Sequence, residues 1–291
     1  MKNINLFCFG FGQVAKNFIK KIKEENLSVN LTVTSREKSD SKILENLEYK
    51  SFQFSEDYFD RNLIENLKSS DYILISIAPV NGEDIVIKNF QDIIEKSKVK
   101  WITYLSATSV YGDHNGQWVD ENSKTNPTSS NGIDRLKVEK SWMKLATTKD
   151  LPFQIFRLSG IYSNQRNVLA RLKSGEVKTI NKKNQFFSRI HVEDIANILF
   201  KSLKNFKPKE IYNISDDKPA SSKEVMFYGA KLLGIKKLKT VELSSIKNEM
   251  VENFYKDSKK VSNKKMKSFF NYKLKFPTYV EGLNYIKDNF I

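Results

Sequence analysis

The chain is poor in the residues that build metal centres and covalent staples: its 291 residues include one cysteine and two histidines. An internal disulfide is excluded, and His114 and His191 are too far apart in sequence to form a ligand cluster with Cys8. Cys8 sits inside the apolar run INLFCF at 4–9, the setting of a buried and inert thiol. Long apolar runs are missing too. None approaches the roughly eighteen residues of a membrane span, and the run after the opening Met-Lys-Asn-Ile stops at Gly10, so neither a span nor a signal peptide is indicated. These absences describe a cytoplasmic protein without membrane contact, long enough to bury a sizeable core.

Arginine is also scarce. Of 49 basic residues, seven are Arg (36, 61, 135, 157, 166, 171 and 189), which leaves 42 Lys. A net charge of +15 raises nucleic acid as a partner, yet the lysines are scattered over helix faces and turns. The densest cluster, Lys259-Lys260 with Lys264-Lys265, reads as solvated surface, and nucleic acid is disfavoured. Against this background the arginines carry more information, because a guanidinium offers a planar bidentate fork that an ammonium cannot replace.

Periodicity organises the chain. Residues 4–9 read as a strand, and Val14, Phe18, Ile19 and Ile22 then recur at helical spacing. Strands follow at 29–34, 49–54, 72–77, 101–105 and 153–158, with helices at 85–94 and around 136–145. This alternation predicts an α/β fold, a Rossmann-type doubly wound parallel sheet over residues 1–160. Residues 161–291 form a mixed, smaller C-terminal lobe: helices at 167–173, 192–203, 222–233 and 277–289, and a hairpin-like stretch at 175–187. A late strand at 211–214 returns to the main sheet, and Ser221 or Ser222 caps the helix after it.

Gly10-Phe11-Gly12-Gln13-Val14-Ala15 lies between the first strand and the first helix, the context a dinucleotide fingerprint requires. Gly10 permits the tight turn, Gly12 close backbone approach to a diphosphate, and Ala15 close helix packing, with the helix N-terminus facing the anion. After the second strand, Ser35 and Arg36 suit a 2′-phosphate and favour NADP, while Glu37 keeps NAD open. Ala78-Pro79 lies along the cofactor in such a fold, and Ser106 joins the same group.

Several strings resemble one family: FGFGQVA at 9–15, LSATSVYGD at 105–113, FRLSGIYSNQRN at 156–167, FSRIHVEDIA at 187–196, IYNISDDKPASSKEV at 211–225 and KFPTYVEGL at 275–283. Together they look like the atypical, extended branch of the short-chain dehydrogenases/reductases, the NAD-dependent epimerase/dehydratase family. The resemblance implies a Rossmann domain with a C-terminal lobe, an active site in the cleft between them, and a nucleotide-sugar or other small polar substrate. It also implies a Ser/Thr with Tyr-x-x-x-Lys, in which the cation lowers the pKa of the phenol.

This chain departs from that set. The hydroxyl residue, four before the tyrosine of Val110-Tyr111-Gly112, falls on Ala107, although Ser106 and Thr108 flank it. Aligning Glu139 with the helix Glu of the family puts Asn131 and Arg135 at the Tyr and Lys positions. A register two residues later gives Ile133 and Lys137. Replacement catalytic groups are Tyr111, His114 and Arg135, with His114 favoured by its intrinsic pKa. Asp113 lies beside them, and His191 reads as a packing residue. Arg157, Tyr162, Arg166 and Arg189 are the candidates for an anionic or polar substrate, and Asp216-Asp217 reads as a turn or cap. The function expected is an oxidoreductase or isomerase with a non-standard acid/base group; the alternative is a catalytically silent NADP-binding sensor or scaffold. A homodimer stays open as an assembly.

Overall fold

The computed structural model describes residues 3–175, 178–248, 251 and 254–291. The chain divides into two compact units. One comprises Met1–Ala107, Ile133–Arg157 and Ala196–Ile211, and the other Thr108–Gly132, Leu158–Ile195 and Tyr212–Ile291.

The strands of the main sheet are β1 (Ile4–Phe9), β2 (Val29–Ser35), β3 (Asp40–Leu44), β4 (Leu47–Gln53), β5 (Tyr72–Ile75), β6 (Trp101–Ala107), β8 (Phe153–Leu158) and β12 (Glu210–Ile214). Their order is β12-β8-β6-β5-β1-β2-β4-β3. The pairings β4 with β2, β2 with β1, β1 with β5 and β5 with β6 are parallel, as the alternation predicts. From β1 the chain winds outward through β2 to β4, then returns to β5 on the other flank of β1. The reversal lies between β1 and β5, which makes their carboxyl ends the place for a ligand in an open sheet.

One strand of this sheet was not anticipated. β3 pairs antiparallel with β4 through the turn residues Glu45 and Asn46, at φ 48° and 64°, and it is too exposed to carry an apolar pattern.

The helices α1 (Gln13–Glu24), α2 (Leu63–Lys68), α3 (Ile85–Lys96) and α4 (Ser130–Thr148) follow the same logic of buried stripes. Val14, Ala15, Phe18, Ile19 and Ile22 are the buried face of α1. The core of this unit gathers Phe7, Phe9, Phe54, Phe90, Tyr104, Trp142 and Phe153, with Trp142 stacked on Phe153 at 5.3 Å. Asp84 anchors the start of α3: its Oδ1 accepts from Val86 and Ile87 N–H, and its Oδ2 accepts from Trp142 Nε1 at 2.9 Å.

In the other unit, α5 (Val168–Lys173), α7 (Ser222–Leu232) and α9 (Tyr279–Phe290) share a core of Leu169, Leu172, Met226, Leu283 and Ile286. Ser221 caps α7 by accepting from Glu224 N–H, and Thr278 with Glu281 forms a capping box on α9. α6 (Val192–Ser202) and α8 (Lys264–Phe270) complete the helices named here.

Three strand pairs are parallel: β9 (Gly160–Tyr162) with β11 (Arg189–His191), β7 (Trp118–Val119) with β14 (Lys260–Val261), and β10 (Lys178–Asn181) with β13 (Lys239–Glu242). The last pair corrects the hairpin expected at 175–187. The partner of β10 comes from some sixty residues downstream, beyond the reach of local turn reasoning. Residues 176 and 177 of that stretch lie outside the described residues.

Candidate functional site

At the end of β1 the backbone turns through Gly10 at φ +83°, a conformation that favours glycine. Two hydroxyls hold the turn. Gly10 N–H donates to Thr34 Oγ1 at 3.0 Å, and Ser76 Oγ donates toward the carbonyls of Phe9 (3.1 Å) and Gly10 (3.0 Å). A Cβ on Gly10 would lie 2.8 Å from Ser76 Oγ, so the residue is needed for closeness as well as for φ. Neither Thr34 nor Ser76 was singled out from sequence, because a hydroxyl after an apolar strand carries no pattern of its own.

Gly12 differs. It is the N-cap of α1 at φ −83°, its ideal Cβ meets nothing within 4 Å, no side chain caps the helix, and the first turn holds no acid. Open space therefore adjoins uncapped amides at the positive end of a helix dipole, which is the geometry that holds a phosphate. Ala15 is buried and Gln13 half-buried on that turn, and Phe11 packs on the Tyr49 ring at 5.0 Å with Lys16 Nζ 5.9 Å from its own ring centroid.

At the end of β2, Ser35 Oγ lies 3.2 Å from Ser51 Oγ, and Arg36 is exposed with no partner among the described residues. Glu37 is ion-paired with Lys42, whose hydrogen bond holds the carboxyl below its usual range. After β5, Ala78 is exposed and Pro79 half-buried. Ser106, on β6, is 2% exposed and its Oγ has no partner among the described residues. Arg135 on α4 donates from Nη1 to Leu105 O at 3.1 Å, and its charge opposes the upward push that burial gives the nearby Tyr104 phenol. These residues fit a dinucleotide: a cradle that a side chain at Gly12 would fill, an unpartnered buried hydroxyl and a free guanidinium.

Arg157, expected to meet substrate, is instead 4% exposed and forked onto Glu139, with Nη2 to Oε2 at 2.7 Å and Nε to Oε1 at 3.1 Å. The carboxylate that serves as the family landmark is thus the partner of a structural ion pair, and Arg157 leaves the set of ligand-facing cations.

The remaining candidates belong to the other unit. Tyr111 is fully buried and donates its hydroxyl to Asn213 Oδ1 at 2.8 Å. His114 is half-buried, with Nε2 3.2 Å from Tyr111 O and 3.1 Å from Lys124 O. Two carbonyl acceptors require the proton on Nε2 and leave Nδ1 as a lone pair without a partner among the described residues. Tyr162 is buried, its hydroxyl 3.4 Å from Thr278 O, and burial pushes its phenol up. Arg166 is exposed, and its guanidinium has no partner among the described residues.

Arg189 is part-exposed and uses Nη1 to hold the carbonyls of Phe187 and Ala220. Nearby, His191 packs against Phe276 at 4.2 Å and Tyr162 at 5.0 Å. Its Nδ1 accepts from Glu193 N–H, its Nε2 has no partner among the described residues, and burial pulls its pKa to about 4. Asp217 accepts from Asn263 and Lys267, whereas Asp216 is buried with Oδ2 unpartnered among the described residues. Sequence reasoning treated the two aspartates alike.

Residues 10–215 match the model of the NAD dependent epimerase/dehydratase family. Among solved structures, the chain resembles a functionally unknown conserved protein from Silicibacter pomeroyi, at 30% identity over 99% of both chains with a TM-score of 0.87. It also resembles UDP-N-acetylglucosamine 4-epimerase from Bacillus cereus (16% identity, 99% of both chains, TM-score 0.74). A third similar structure is dTDP-glucose 4,6-dehydratase from Bacillus anthracis in complex with NAD (16% identity, 99% of this chain and 96% of that one, TM-score 0.79). No curated protein matches.

Proposed function

The chain belongs to the NAD-dependent epimerase/dehydratase family, and from that premise we propose that it is an NADP-favouring oxidoreductase or isomerase of a small polar substrate, with a non-standard acid/base group. The observation that carries the reading is the uncapped N-terminus of α1 behind Gly12, with open space where a Cβ would stand. Gly10, Phe11, Gly12 and Gln13 would hold the diphosphate, Ala15 lets the helix pack close, and Ala78, Pro79 and Ser106 would line the rest of the cofactor. Ser35 and Arg36 would take the 2′-phosphate. Glu37 is committed to Lys42 and Arg36 is free among the described residues, which supports NADP over NAD. A bound nicotinamide supplies hydride transfer.

The side chains of this protein divide the remaining work. In the register that sets Glu139 on the helix Glu of the family, Arg135 takes the place of its Lys and would hold hydroxyls, but a guanidinium does not exchange protons at neutral pH. His114 is the proton carrier: its Nε2–H, shared by two carbonyls, fixes the ring and presents Nδ1 as a base. Tyr111 holds Asn213 and positions the turn that carries His114. Arg166 and Arg189 would bind the polar substrate.

Calorimetric titration with NADPH and NADH tests the cofactor side. Arg36→Ala is expected to weaken NADPH about 10–100-fold and leave NADH unchanged, since one charge-assisted contact is removed. Equal or tighter NADH binding by the natural chain would count against the assignment.

A second reading, a silent NADP-binding sensor or scaffold, is favoured by Ala107 and by the engagement of the Tyr111 hydroxyl. Turnover across a panel of carbonyl compounds and nucleotide sugars separates the two. Activity lost in His114→Gln supports the enzyme, and tight NADPH binding with no hydride exchange supports the sensor.

A further inference from the structure

Lys259 belongs to the cluster expected as solvated surface, yet its side chain is 11% exposed, and burial pulls its ammonium below the usual range. It is spent instead on the turn that carries His114, within the same unit. Lys259 Nζ donates to Gly112 O at 2.9 Å. Beside it, Ser258 N–H donates to Asp113 Oδ1 at 2.7 Å, and Ser258 O accepts from His114 N–H at 3.1 Å and Gly116 N–H at 2.9 Å. The turn at 112–116 is thus docked on two adjacent residues from the far end of the sequence.

The buried charge is balanced locally. Asp257 Oδ2 lies 3.5 Å from Nζ, and Asp257 Oδ1 accepts from Thr128 Oγ1 at 2.6 Å. Asp113 is a second carboxylate whose charge, like that of Asp257, favours the ammonium. A partly buried cation between carboxylates that are themselves hydrogen-bonded is a fixed donor, and removing it strands its partners.

The carbonyl it holds matters to the imidazole. Gly112 sits at φ +72°, and glycine has the widest choice of backbone conformations, so no side chain of its own steers that carbonyl. His114 folds back over the turn to place Nε2 3.2 Å from Tyr111 O and 3.1 Å from Lys124 O. Those contacts fix the proton on Nε2 and leave Nδ1 as the lone pair. They depend on the path of the backbone between Tyr111 and His114, and Lys259 is the side chain that holds it at Gly112.

We propose that Lys259 is the positioning residue for His114: through Gly112 O it sets the turn so that the ring keeps its proton on Nε2 and presents Nδ1. That His114 carries protons in a reaction rests on the oxidoreductase reading above; the hold on the ring does not.

The chain has two histidines, so isotopic labelling of histidine nitrogen gives two ring signals, with His191 as an internal control. Long-range proton–nitrogen spectra of the full chain at about pH 8, where imidazole is neutral, read the tautomer of each, and His114→Gln assigns them. The natural chain is expected to show His114 as a single Nε2–H tautomer. Lys259→Met removes the donor and is expected to move His114 to a mixed-tautomer average with His191 unchanged. Lys259→Arg keeps donor and charge and is expected to restore the natural pattern. Lys264→Met, at an exposed position of the same cluster, is expected to alter neither ring. Where a substrate is turned over, Lys259→Met should lower kcat about 10–100-fold with KM and NADPH affinity unchanged, because a displacement of about 1 Å near the chemistry costs on the order of 100-fold.

Melting temperatures accompany each variant. If Lys259→Met does not fold, Asp257→Asn carries the test: it leaves the ammonium, removes a carboxylate partner and should move the His114 signals in the same direction by less. Natural-chain signals in a folded Lys259→Met, or in Asp257→Asn when it stands in, would overturn the inference. So would a mixed tautomer already present in the natural chain, or Lys259→Arg signals that match those of Lys259→Met. Turnover lost in His114→Gln but untouched in Lys259→Met would also overturn it, and the enzyme reading would stand. If the His114 signals move as expected while no substrate is turned over, the positioning role stands and the oxidoreductase reading falls.

Discussion

Stability of this protein should fall on acidification through a single histidine. His191 is 1% exposed among Tyr162, Phe276 and Tyr285, and its Nε2 has no partner among the described residues. Burial lowers its pKa from 6.5 to about 4. The unfolded chain therefore takes up the proton first as pH falls. The stability from keeping this ring neutral is fully present above pH 6.5, declines as pH drops from there, and is lost below about 4.

At 1.36 kcal/mol per pKa unit the whole effect is about 3 kcal/mol, of which about 2.5 kcal/mol appears between roughly pH 7.5 and 4.5. Asp194 and Asp216 act the other way. Burial raises both, so they gain stability on protonation, and a total pH profile would mix the signs. The clean measurement is a difference: urea unfolding of the natural chain and of His191→Phe at half-unit pH steps. Any constant offset from leaving Glu193 N–H unpaired cancels in the slope. The natural chain should lose about 2.5 kcal/mol more than the variant over that interval. Parallel profiles, within about 0.5 kcal/mol, would refute the argument.

Gly12→Ala should leave the melting temperature unchanged or slightly raised, since φ is −83° and no atom lies within 4 Å, yet weaken NADPH by about 10-fold or more. Unchanged affinity would remove Gly12 from the cradle. Gly112→Ala is the opposite case: φ is +72° and the new Cβ would fall 1.7 Å from Asn126 O, so a loss above about 2 kcal/mol is expected, and an unaltered melt would contradict the turn geometry. Glu139→Ala leaves Arg157 buried without its carboxylate and should cost about 3–5 kcal/mol by urea unfolding. A loss below about 1 kcal/mol would mean that Arg157 finds another partner. Asp194→Ala removes the acceptor of Tyr272 Oη–H (2.6 Å), Lys275 N–H (2.7 Å) and Phe276 N–H (3.0 Å), with an expected cost of about 3 kcal/mol or more. A chevron or melt indistinguishable from the natural chain would show these donors are re-satisfied elsewhere.

The legible elements were those whose signal is local. INLFCF, the stripe Val14-Phe18-Ile22 and the strand at 153–158 all appear within two residues of their expected ends. Ser221, read as one of two caps, proves to be the one that accepts from Glu224 N–H. What escaped had no local signature. β3 is an exposed edge strand, α2 is a six-residue helix marked only by Leu63 and Leu67, and β10 pairs with a strand sixty residues away. The arginines show the same limit. Arg36, Arg157 and Arg189 all fell in suggestive segments, but one is free among the described residues, one is locked on Glu139 and one is half-committed to carbonyls.

Sequence alone determined the α/β winding, the turn at Gly10 and the family, because periodicity and glycine placement act over a few residues and survive any tertiary context. It also set Ala107, flanked by Ser106 and Thr108, at the position where the resemblance implies a hydroxyl residue. Only the tertiary structure decided which polar groups remain available. Whether a carboxylate or guanidinium is satisfied depends on partners tens of residues away, as with Glu139 and Arg157 or Asp194 and Phe276.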